Sequence, residues 1–270
     1  MTTEKILLRP DEGEKVTLTT YISYECRELN MPPRPAIVIC PGGGYNWQSD
    51  REAEPVAKEF FAKGFNCFIL HYSCKEEAVF PRPLVELSRA IVHVRENAEK
   101  YNIDPEKVFV IGFSAGGHLA ASIGTMWHED FAKASDDMPY GANRPNGMIL
   151  CYPVITSGEF AHRGSFNNLL GTETPTEEQN RAYSLEYRVD EKTVPAYICH
   201  AFTDPAVPVQ NALLFMNAMA AAKVPFAAHI FHKGPHGFSL ANEEVSQGQV
   251  MPYADLYEWL DEAIAWTRKM

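Results

Sequence analysis

The chain has no excess of positive charge. Its 270 residues carry 24 lysines and arginines against 35 aspartates and glutamates, a formal net charge of -11. No nucleic-acid partner is expected, because neutralising phosphates requires a basic face. No apolar run approaches the length of a membrane span, so no membrane partner is expected either. The first ten residues hold no apolar core of signal-peptide length, and the expectation is a cytoplasmic location. The six cysteines (Cys26, Cys40, Cys67, Cys74, Cys151, Cys199) show no Cys-x-x-Cys spacing. Cys40, Cys67, Cys151 and Cys199 each fall in an apolar run. They read as small core hydrophobes in a reducing compartment rather than as disulfides or metal ligands. No metal and no cofactor is expected. Internal repeats and low-complexity segments are missing too.

What is present is a globular pattern, 46% hydrophobic and 22% charged, long enough to bury a sizeable core. Apolar runs of strand length occur at residues 36–40, 65–71, 108–111, 148–152, 196–200 and 226–231. Longer amphipathic stretches separate them. A helix is predicted over residues 52–63. Another is marked by Leu84, Leu87, Ile91 and Val94 downstream of Pro81 and Pro83, and a C-terminal one by Leu256, Leu260, Ala263 and Ile264. Such alternation predicts one α/β domain over residues 1–270, with a mostly parallel twisted sheet and helices on both faces. Residues 15–24 alternate and are expected to form an antiparallel edge. The polar span 156–193 fits no simple βα unit and predicts short helices or a loop over a site.

In open α/β sheets, sites form at the C-terminal ends of strands. One such end is Phe109-Val110-Ile111-Gly112-Phe113-Ser114-Ala115-Gly116-Gly117-His118. An apolar β-branched run enters Gly-x-Ser-x-Gly, and a small-residue helical stretch follows. This is the layout of a nucleophile elbow, which holds a serine hydroxyl clear of the backbone. The bare pattern arises by chance on the order of one time in ten in a chain this long. The bland alternative is a glycine-rich turn before a helix, so partners must decide.

A nucleophilic serine needs a histidine base, and that imidazolium needs a carboxylate. His236, in Lys233-Gly234-Pro235-His236-Gly237-Phe238, lies in a glycine-flanked loop beyond a late strand. The alternative for it is a surface turn. His229 and His232 are committed to the strand or its end. His200 competes from a strand end but precedes the best acid, and His118 reads as a helix residue packed below the elbow. The acid is expected after a strand between Ser114 and His236. Asp204 meets that condition, although it could be only a turn former. Asp190 and Glu191 precede the strand. The order Ser114, Asp204, His236 is the one this type of elbow requires. Attack on a carbonyl also needs amides to hold the oxyanion. Ala115, following the serine, should supply one. The run Pro41-Gly42-Gly43-Gly44-Tyr45, after an early strand, should supply others. A phosphate loop is the alternative there, but its lysine is missing.

Together these residues resemble the α/β-hydrolase superfamily. The likeness is to its hormone-sensitive-lipase-like esterase branch, and within it to compact bacterial acetyl esterases and acetyl-xylan esterases. It extends through Ser49-Asp50-Arg51-Glu52-Ala53-Glu54, Tyr152-Pro153-Val154, Asn168-Leu169-Leu170-Gly171 and Val207-Pro208-Val209-Gln210-Asn211, and covers nearly the whole chain. The resemblance implies a Ser114–His236–Asp204 triad and an oxyanion hole lined by Gly43, Gly44 and Ala115. It also implies no large lid and a substrate that is a small-molecule or oligosaccharide ester, such as O-acetylated xylo-oligosaccharide. Tyr45 and Trp47, beside the glycine loop, could stack on a sugar or could be packing residues. The chain departs from the broad family at Pro41, where a histidine is usual, so the loop's support is expected to differ. The alternatives are a feruloyl or aryl esterase, a peptidase on the same scaffold, and a non-catalytic ligand receptor. A propeller of the prolyl-peptidase kind has no room here. A receptor would typically have lost the histidine. A homo-oligomer is left open.

Overall fold

The apolar runs pair into a single sheet in a computed structural model that describes residues 1–8, 16–24, 28, 31–246 and 254–270. The strands are β1 (Lys5–Leu7), β2 (Thr17–Tyr21), β3 (Arg34–Cys40), β4 (Asn66–His71), β5 (Ile103–Phe113), β6 (Gly147–Cys151), β7 (Ala196–Ala201) and β8 (Phe226–Phe231). Their spatial order is β1-β2-β4-β3-β5-β6-β7-β8. The pairs from β4 to β8 are parallel, and β1 and β2 run antiparallel at one end. The helices are α1 (Glu54–Ala62), α2 (Arg82–Glu96), α3 (Ala98–Tyr101), α4 (Ala115–Met126), α5 (Arg163–Leu170), α6 (Glu177–Tyr183), α7 (Gln210–Ala221) and α8 (Glu258–Thr267).

The period of two along each strand divides the core between the two faces of the sheet. Ala36, Val38 and Val110 pack with Leu87 and Ile91 of α2, Leu119 and Ile123 of α4, and Phe215 of α7. Their neighbours Ile37, Ile39 and Ile111 point the other way, against Phe60 of α1 and Trp259 and Leu260 of α8. Cys40, Cys67, Cys151 and Cys199 are free and buried within these layers, while Cys26 lies outside the described residues.

Two boundaries differ from expectation. The helix predicted over 52–63 begins at Glu54, because Pro55 occupies its first turn and a separate 3-10 turn, Asp50–Glu52, precedes it. The stretch expected as an antiparallel edge is antiparallel, with Lys15 outside the described residues, but it is not the edge. β1 pairs on its outer side, Lys5 opposite Thr19. The 156–193 span folds into α5, α6 and a short 3-10 turn rather than a large lid. Among the described residues no helix is long and apolar enough to cross a membrane, and no cluster of three His, Cys, Asp or Glu side chains is placed to hold a metal ion.

Candidate active site

Four strand ends converge on one cleft. β5 runs straight into α4, and the reversal falls on Ser114 at φ 53°, ψ −117°. That conformation is costly for a residue with a side chain. It survives because the surroundings leave no alternative: the Ser114 amide donates to Cys151 O, and Ser114 O accepts from His118 and Val154 amides. The elbow is also too tight for side chains on either flank. A Cβ at Gly112 would lie 2.0 Å from Gly116 O, and one at Gly116 would lie 2.1 Å from Cys40 O.

β7 delivers Asp204 and β8 delivers His236. His236 Nε2 lies 2.8 Å from Ser114 Oγ, and its Nδ1 lies 2.7 Å from Asp204 Oδ2. Asp204 Oδ1 accepts from the amides of Ala206 and Val207, both at 2.9 Å. Burial pushes the Asp204 pKa up, but the neighbouring His200 and His236 and the Val207 amide outweigh it and hold the carboxyl well below the usual range. The carboxylate is therefore charged and fixed, able to hold His236 in the tautomer that leaves Nε2 free to accept a proton. His200 is buried against the same carboxylate at 3.5 Å, yet its Nε2 is closer to Val207 O, at 2.8 Å, and that carbonyl accepts its hydrogen bond. It does not approach the serine.

The other histidines and acids of the sequence lie elsewhere. His118 is buried in α4, bonded to Tyr45 Oη at 3.0 Å and Tyr183 O at 2.9 Å. His229 pairs with Glu262 beside the sheet edge, and His232 is exposed. Asp190 caps its own turn through Thr193, and Glu191 is exposed.

The glycine loop follows β3. With Pro41 at its head, three side chains hold it. Tyr72 Oη donates to Pro41 O at 2.5 Å, the Gly42 amide donates to Glu52 Oε2 at 2.8 Å, and Asn168 Nδ2 donates to Gly44 O at 2.8 Å. The Gly43, Gly44 and Ala115 amides make no hydrogen bond among the described residues. Gly43 and Gly44 line a cleft of about 380 Å³ with Trp47, Ser114, His162 and His236. A larger hollow of about 550 Å³ shares Arg51 but is lined by none of Ser114, Asp204 and His236.

Tyr45 and Trp47 part company. Tyr45 is 1% exposed, packed edge-on to Tyr72 and His118, and offers no open face to a ligand. Trp47 is 54% exposed at the cleft wall. The sequence reading assigned no role to Glu52, Tyr152, His162 or Asn168. Pro55 marks the helix start and leaves Glu52 in the preceding turn, but no local signal shows that its carboxylate turns inward. His162, just before α5, is a half-buried imidazole whose pKa is lowered by burial and then by His236, against the pull of Asp204. Its Nδ1 is paired with Ser165 Oγ at 2.9 Å.

Several known proteins share this sequence and shape. The family model described as BD-FAE matches residues 24–219. Endo-1,4-beta-xylanase B of Butyrivibrio fibrisolvens is 41% identical over 221 residues, 80% of this chain and 34% of that protein. Acetylxylan esterase of Xylanibacter ruminicola is 34% identical over 239 residues, 85% of this chain and 46% of that protein. The chain thus spans less than half the length of these two relatives. The crystal structure of an acetyl ester-xyloside bifunctional hydrolase from Caldicellulosiruptor lactoaceticus superposes with a TM-score of 0.83 at 33% identity, covering 98% of this chain and 96% of the other. On this sequence match and this fold, the chain belongs to the BD-FAE family, in the hormone-sensitive-lipase-like esterase branch of the α/β hydrolases.

Proposed function

We propose that this chain is a serine esterase that removes small acyl groups, acetyl foremost, from carbohydrate. The observation that carries the reading is the continuous hydrogen-bonded line from Ser114 Oγ through His236 to Asp204, at 2.8 and 2.7 Å, opening on the cleft beside amides that make no hydrogen bond among the described residues. His236 Nε2 takes the hydroxyl proton as Ser114 Oγ attacks the ester carbonyl. The carbonyl oxygen becomes an oxyanion between the amides of Gly43, Gly44 and Ala115, where each donor is worth roughly 3 kcal/mol. His236 then protonates the leaving alcohol, and an acyl-serine remains. Water, deprotonated by the same Nε2, releases the acid and restores the hydroxyl. Asp204 stays charged throughout and stabilises the imidazolium.

Support for a carbohydrate ester comes from the relatives named for acetylxylan and acetyl ester-xyloside chemistry. It is consistent with a cleft whose wall offers an exposed indole, Trp47, beside polar side chains. Aromatic faces and hydrogen-bonding groups together suit sugar rings better than long acyl chains.

Hydrolysis rates on acetyl, butyryl and feruloyl esters and on acetylated xylan, with Ser114→Ala as the control, test the reading. The expected order places acetyl first, with turnover abolished in Ser114→Ala and its thermal unfolding unchanged. Turnover retained in Ser114→Ala would remove the serine from the chemistry, and a feruloyl preference would replace the acetyl assignment.

A further inference from the structure

Glu52 is only 3% exposed, yet it lines the cleft that holds Ser114 and His236. Each of its oxygens has a separate task. Oε2 accepts the Gly42 amide at 2.8 Å, and Oε1 accepts the Tyr152 hydroxyl at 2.8 Å. Tyr152 Oη in turn accepts the Ser239 amide at 2.9 Å, three residues beyond His236. The Tyr152 ring packs edge-on to His236, centroids 5.2 Å apart, and to Phe238 at 4.6 Å. One carboxylate therefore joins the loop that carries the candidate oxyanion amides to the loop that carries the candidate base.

We propose that Glu52 is a positioning residue: it holds the glycine loop and the His236 loop in one register, and its charge supports the imidazolium that forms on His236. The inference rests on the serine-esterase reading. An isosteric amide would cost less to bury than a carboxylate, so stability alone does not account for the charge. Burial pushes the Glu52 pKa up. The hydrogen bonds from Tyr152 and Gly42, and the positive charges of His236 and Arg51, offset part of that rise, and the pKa stays above the usual carboxylate value. The ionisable groups that face His236 are Asp204, Glu52, His162, Arg51 and Tyr152; the first two are carboxylates, and burial keeps the Tyr152 phenol protonated. Removing one of two negative charges makes the imidazolium less favourable, which moves the acid limb of the pH profile to lower pH.

The experiment compares the full chain with Glu52→Gln, Tyr152→Phe and the double variant on p-nitrophenyl acetate, following kcat, KM, pH dependence and thermal unfolding. For Glu52→Gln, kcat should fall about 10- to 100-fold, with KM within about threefold, as small misplacements of a reacting constellation do. The acid limb of kcat/KM should move down. Tyr152→Phe should give a smaller loss and a shift in the same direction, and the double variant should be no worse than Glu52→Gln. A wild-type kcat in Glu52→Gln overturns the proposal, and so does a loss of kcat with the acid limb unmoved. Should Glu52→Gln fail to fold, Tyr152→Phe decides: wild-type kcat with an unmoved limb overturns the proposal. A wild-type chain inactive on every ester would fail earlier, bringing down the esterase reading and this inference with it.

Discussion

Ser114, Asp204 and His236 are separated by 90 and 32 residues in the chain, yet each follows a strand end on the same side of the sheet. Local pattern exposes residues of that kind: a strand, then a turn former, then a reactive side chain. Glu52 and Tyr45 show where local pattern fails. An acid before a helix reads as a first-turn charge facing water, and an aromatic beside a glycine loop reads equally as ligand platform or core. Only the packing of α4 and the neighbouring strands distinguishes them. His118 shows how burial sets charge at a single residue. Burial lowers its pKa to about 4, against the bond to Tyr183 O. The unfolded chain takes up this proton near 6.5, the folded chain only near the lower value. Stability is therefore full above about pH 6.5 and declines as pH falls toward 4, by about 3 kcal/mol for this group. Urea unfolding at pH 7 and pH 4.5 should show a smaller acid loss in His118→Gln than in the wild type. Equal losses would show that His118 does not supply this dependence.

At the scale of elements, the elbow works because β5, α4 and the glycine loop after β3 approach closer than any side chain allows. A methyl group at Gly116 would meet Cys40 O and Pro41 O at 2.1 and 2.5 Å. Both are backbone atoms and cannot swing aside. Gly116→Ala should destabilise the chain by about 2 kcal/mol or more, and the folded fraction should lose activity as α4 and the glycine loop part. A variant with wild-type stability and rate would show that the approach is not required. The strand series was legible in the sequence because parallel strands, covered on both faces, read as continuous apolar runs. The start of α1 was misplaced by two residues because the acidic run 50–54 suits a helical first turn, and only Pro55 marks the true one. Residues 156–193 carried no period at all. Their short helices are set by what they cover: Asn168 of α5 reaches across to Gly44 O.

At the scale of the molecule, the candidate site residues gather at one end of the sheet. β3, β5, β7 and β8 lead into the glycine loop and the candidate nucleophile, acid and base, and β6 leads into Tyr152, which bonds to Glu52 and to the Ser239 amide. The cleft of about 380 Å³ is open, and Gly164 and Asn168 of the short α5 contribute to its lining. A cleft of that size would suit the small acyl group and sugar of the proposed substrate. The negative charge of the whole chain fits neutral substrates better than anionic ones, since repulsion slows the approach of an anion at low salt.

The central claim is that Ser114, activated by His236, is the nucleophile of an ester-cleaving site. Titration with a phosphorylating ester analogue, diethyl p-nitrophenyl phosphate, tests it most directly, followed through loss of p-nitrophenyl acetate hydrolysis and by peptide mapping. The account predicts that hydrolysis disappears in step with one phosphoryl group per chain, on Ser114, and that His236→Ala is labelled far more slowly. Hydrolysis that persists with Ser114 fully labelled, or a label that falls on another residue as activity is lost, would contradict it.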